Sequence, residues 1–78
     1  MFKNKNADNS LNLCGSKVAL MRKEKGISQR ALAYQLQLEG MDLNKNAIQK
    51  IESGKRFVTD IELKSFSRLF HVTMDELV

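Results

Sequence analysis

Residues 44–56 read Asn-Lys-Asn-Ala-Ile-Gln-Lys-Ile-Glu-Ser-Gly-Lys-Arg. Wound as a helix, this stretch puts Ile48 and Ile51 on one side and Lys45, Asn46, Gln49 and Lys50 on the other. On such a face no nucleophile has a base partner, so covalent chemistry has little to work with. The face can form matched hydrogen bonds. Asparagine pairs bidentately with the edge of adenine, and lysine donates to the two acceptors of guanine. A helix face built only for water mixes in glutamate more often. The one acid here, Glu52, stands at the far end of the stretch.

Other chemistries find little support. The chain has one cysteine, Cys14, and one histidine, His71, so neither a disulfide framework nor a zinc cluster can be assembled. Cys14 falls on an apolar face and reads as a small core residue. Ser53-Gly54-Lys55 repeats the end of a phosphate-binding loop, but it lacks the upstream glycine and follows a helix instead of preceding one. The acid pairs Asp60/Glu62 and Asp75/Glu76 suit the first turns of helices, where carboxylates meet the positive end of the dipole. No catalytic residue, metal or cofactor is expected.

Length and charge narrow the reading. A chain of 78 residues is one domain with a thin core. Residues 1–56 carry eleven Lys/Arg against five Asp/Glu, whereas residues 57–78 carry two against four. A basic body with an acidic end suits a protein that turns one side toward a polyanion. The N-terminus is polar, and no run approaches the roughly 18 apolar residues of a membrane span. The expected compartment is the cytoplasm, with no membrane partner.

The helices that carry these residues announce themselves by their starts. Ser28, Asn44, Thr59 and Thr73 are N-cap types, each preceded by an apolar residue that can staple onto the fourth helical position. Glu62 and Glu76 complete capping boxes. Gly26, Gly40 and Gly54 stand where left-handed residues end helices. The pattern predicts an all-α fold, a compact bundle of five short helices near 13–25, 29–38, 45–53, 60–70 and 74–77. Residues 1–12, with four Asn and no apolar period, are expected to be a flexible arm preceding a domain over 13–78. Helical spacing assigns Cys14, Val18, Met21, Leu32, Ala33, Leu36, Ile48, Ile51, Leu63, Phe66, Phe70, Val72 and Leu77 to the core.

Residues 13–77 resemble the XRE-type helix-turn-helix family that includes the Cro and lambdoid phage repressors. The resemblance is carried by Met21–Gln29, Leu32-Ala33, Ala47–Arg56 and Val72–Leu77. It implies a lambda-repressor-like DNA-binding domain, its second and third helices forming the helix-turn-helix. By resemblance, Lys45, Asn46 and Lys50 read bases, with Gln49 beside them. Gln29, with the cap residue Ser28, sits at the N-terminus of the second helix, where backbone N–H groups attract an anion. These two and the pair Lys55 and Arg56 would hold phosphates. Arg22 and Glu52 match a salt bridge tying the first helix to the reading helix.

The chain departs from the family pattern in four places, one of them a longer basic and Asn-rich arm with Lys3 and Lys5. The turn from Glu39 to Leu43 is longer than the compact 3–4-residue form. Ala31 replaces a usual capping Glu, and His71 stands where a glycine is usual. The expected function is sequence-specific binding of double-stranded DNA by a small transcriptional repressor. Its partner would be a palindromic operator, met by a homodimer joined through the C-terminal end around Leu69 and Met74–Val78. A second reading keeps the fold but makes it a protein-interaction module, an antitoxin or adaptor without strong DNA binding. Salt dependence separates the two, since phosphate contacts require affinity to fall steeply with salt.

Overall fold

The computed structural model describes residues 10–78, of which 15–77 form four α-helices and a closing turn of 3₁₀-helix. The helices are α1 (Gly15–Lys25), α2 (Gln29–Leu38), α3 (Lys45–Glu52) and α4 (Asp60–Phe70), followed by the 3₁₀ turn Met74–Leu77. No strand occurs among the described residues. Most of the expected flexible arm lies outside them.

Each expected cap is made. The Ser28 hydroxyl accepts from the Ala31 amide at 3.0 Å, and the Asn44 side chain accepts from Ala47 at 2.8 Å. Thr59 and Glu62 form a reciprocal capping box, as do Thr73 and Glu76. The two differences lie at the ends. The first helix starts at Gly15, two residues later than expected, because the side chain of Asn12 accepts the Gly15 amide at 2.7 Å. The fifth expected helix is a single 3₁₀ turn, since a capping box serves a tight turn as well as an α-helix.

The core is formed by Cys14, Val18, Leu32, Ala33, Leu36, Leu43, Ile48, Ile51, Phe66 and Leu77. Met21, Leu63, Phe70 and Val72, expected in it, are half-buried and pack around it. Burial pushes the Cys14 thiol above its ordinary pKa, which keeps it protonated and unreactive. The long α2–α3 turn is anchored from inside. Leu43 is fully buried as the apolar staple against Ile48, Met41 packs on the core, and Gln37 donates to the Leu43 carbonyl at 3.2 Å.

His71 closes α4 in the left-handed region, with φ 56° and ψ 43°. A side chain with a Cβ is strained there, by about 1–2 kcal/mol. His71→Gly relieves that strain at some cost in chain entropy, so the variant is expected to gain about 0.5–1 kcal/mol in a denaturant titration.

Candidate nucleic-acid interface

The third helix divides cleanly. Ile48 and Ile51 are fully buried against the core, and Lys45, Asn46, Gln49 and Lys50 are all exposed. The division follows from the 3.6-residue period, which places 45, 46, 49 and 50 on the turns facing away from the two isoleucines. The exposed side therefore presents two ammonium groups and two carboxamides, with no carboxylate between them.

Glu52, the acid at the end of this helix, is turned inward. Its side chain is 7% exposed, and that of Arg22 on α1 is 12% exposed. The Arg22 Nε donates to Glu52 Oε2 at 2.7 Å and Nη2 donates to Oε1 at 3.1 Å, a bidentate geometry. Nη1 donates to the Ile27 carbonyl at 2.9 Å. The hydrogen bond to Glu52 holds the Arg22 guanidinium above its already high pKa. Gln29, at the first position of α2, donates from Nε2 to the same Glu52 Oε1 at 3.0 Å. One carboxylate on α3 thus receives donors from both α1 and α2.

This contact brings the N-terminus of α2 to the C-terminal end of α3. Ser28 and Gln29 stand there, three residues in sequence from Lys55 by way of Glu52. Lys55 is exposed. Arg56 is differently placed from its neighbour. Its Nη1 and Nη2 donate to the two carboxylate oxygens of Glu62 at 2.9 and 3.1 Å, and Nη1 also donates to the Phe57 carbonyl. The Arg56 hydrogen bond holds the Glu62 carboxyl below the usual carboxylate range, helped by the Thr59 amide and opposed by burial. Arg56 therefore ties the loop after α3 to the start of α4.

Three residues that matter here have partners that local spacing does not disclose. Glu62 was visible as half of a capping box but not as the partner of Arg56. Asn12 falls within the polar segment expected to be a flexible arm, yet its Nδ2 donates to the carbonyls of Ile51 at 3.0 Å and Arg56 at 2.8 Å. An Asn just before an apolar helical run is a cap signal, and Asn12 fits that signal through its bond to the Gly15 amide. Gly15 sits where α1 meets the end of α3, and a Cβ there would collide with the backbone oxygen of Ile51.

Among the described residues no group of three His, Cys, Asp or Glu could hold a metal ion, and no helix is long and apolar enough to cross a membrane. The search of curated proteins returned no match, and neither did the search of solved structures. A family model described as helix-turn-helix matches residues 18–77, which takes in all of α2, α3 and α4. With that match over most of its length, the chain belongs to the XRE-type helix-turn-helix family and carries a DNA-binding helix-turn-helix domain.

Proposed function

We propose that the chain is a cytoplasmic, sequence-specific transcriptional repressor that lays α3 in the major groove of double-stranded DNA and works by binding alone, without catalysis. One observation carries this reading. The outward face of α3 is wholly cationic and amide, while the helix's single acid is drawn inward by Arg22 and Gln29. Lys45, Asn46, Gln49 and Lys50 would meet base edges, and Ser28, Gln29 and Lys55 would hold phosphates that set the register. Arg56 adds less than Lys55 to that set, because Glu62 already takes both arms of its guanidinium.

The test is equilibrium binding to mixed and selected duplexes across a salt series. The wild-type chain is expected to lose affinity steeply with salt. Asn46→Ala is expected to lose about 1–3 kcal/mol of discrimination between the preferred base and others. Preference unchanged in Asn46→Ala means a different register of the helix on DNA. No binding even at low salt would hand the fold to the protein-interaction reading.

A single module of this size contacts only about 600–1,000 Å² of DNA, so a two-fold operator and a homodimer belong to the same proposal. Leu77 is fully buried, which removes it from the available surface, whereas half-buried Leu69 keeps part of its side chain at that surface. Met74 and Val78 remain exposed, and Leu13 joins Val78 along a shallow groove of about 210 Å³ also lined by Val58 and Leu63. Sedimentation equilibrium is expected to give a dimer on operator DNA. A monomer both free and bound would remove this part of the proposal.

A further inference from the structure

We infer that Asn12 is a positioning residue for DNA binding: by bridging the carbonyls of Ile51 and Arg56 it fixes the backbone that carries Lys55. The inference rests on the reading of α3 and its following loop as a DNA-binding surface.

The geometry is specific to a carboxamide. One nitrogen, Nδ2, serves two carbonyls at 3.0 and 2.8 Å, and the oxygen of the same group accepts the Gly15 amide at 2.7 Å. Serine has a single donor proton and a shorter reach, and aspartate has no donor when ionised. The two carbonyls belong to the end of α3 and to the far side of the loop, so the amide spans the segment between them. The neighbouring Leu11 amide donates to the Gly54 carbonyl at 2.8 Å. Gly54 and Arg56 flank Lys55, and the chain before α1 holds the carbonyl of each. The Lys55 amide itself closes on the Lys50 carbonyl at 2.8 Å.

Lysine is a point charge on a flexible four-carbon stem, so where its ammonium can reach depends on where its backbone is held. The Asn12 bridge acts on that backbone. The buried face of α3 is held in addition by Ile48, Ile51 and the Arg22–Glu52 pair, so the bridge bears most on the loop beyond the helix.

The experiment uses the full chain and a mixed-sequence duplex, with the salt slope of binding read for wild type, Asn12→Ala, Lys55→Ala and the double variant. Lys55→Ala is expected to reduce the slope by about one, Asn12→Ala to reduce it by nearly the same, and the double variant to fall no further than Lys55→Ala. Asn12→Ser keeps a cap on α1 but cannot span both carbonyls, and it serves if the alanine variant folds poorly. Amide hydrogen exchange supplies a readout independent of DNA. The Lys55 amide is expected to exchange about tenfold faster in either Asn12 variant, while the Ile48 amide is unchanged.

A lower melting temperature with unchanged slope and unchanged Lys55 exchange would make Asn12 merely structural and overturn the inference. Additive effects in the double variant overturn it too, since Asn12 would then act elsewhere. A wild type that does not bind DNA at low salt fails the DNA reading instead, and Lys55 exchange still decides whether Asn12 holds the loop.

Discussion

Arg22→Ala is expected to destabilise the domain by about 3–5 kcal/mol, the usual cost of removing one partner from a buried ion pair. Among the described residues, the substitution leaves Glu52, 7% exposed, with Gln29 as its remaining side-chain donor. It also strips the Ile27 carbonyl of its guanidinium partner. For a domain of this size each kcal/mol moves the melting temperature by about 4–8 °C, so the loss exceeds about 12 °C. Because small domains have little stability in reserve, part of the variant is expected to be unfolded at 37 °C. Glu52→Gln tests the mechanism, since it removes the charge but keeps the shape. Combined with Arg22→Ala it should cost clearly less than the sum of the two single changes. A thermal melt that Arg22→Ala leaves in place would mean that water already compensates the pair.

Gly15→Ala is expected to cost about 2–3 kcal/mol, in the opposite sense from the usual effect of that change. Alanine in place of glycine inside a helix ordinarily gains up to about 1 kcal/mol. Here the added methyl group meets the Ile51 carbonyl oxygen, a backbone atom that cannot rotate aside, and also the Asn12 side chain. The N-terminal turn of α1 must then move off the end of α3, which is an overpacking penalty. A urea titration measures it as a lower midpoint with an unchanged slope. A stabilised variant would show that the two helices do not approach so closely.

What the sequence disclosed and what it withheld divide along chain separation. The starts of α2, α3 and α4 were legible because a cap acts within three residues. Ser28, Asn44 and Thr59 each accept from the amide three positions on. The outward face of α3 was legible for the same reason, as Ile48 and Ile51 fix one side of a short helix and so define the other. The Arg22–Glu52 pair, 30 residues apart, came through the family resemblance and not from spacing. The contacts of Asn12 and Gly15 with the end of α3 had no such guide. Their partners at the end of α3 lie some 39 residues along the chain, and no local pattern announces them. Arg56 and Glu62 are only six residues apart, but in a loop, where there is no periodicity to say which side chains meet. Glu62 could be read as a cap and Arg56 as a free cation, and each reading was local. Their pairing is a product of how the loop folds back on α4.

The turn between α2 and α3 bears on how the outward face of α3 can change over time. Its inner side is fixed by Leu43 and Met41, while Glu39, Gly40 and Asp42 lie exposed. Length added or removed on the exposed side alters chiefly the closure entropy of the loop. Even a doubling costs only about 0.6 kcal/mol. The angle of α3 is set by Leu43 beneath it and by Glu52 at its end. Length in that segment and aim of the helix are therefore nearly independent variables, and insertions there can accumulate while the same four side chains go on facing outward.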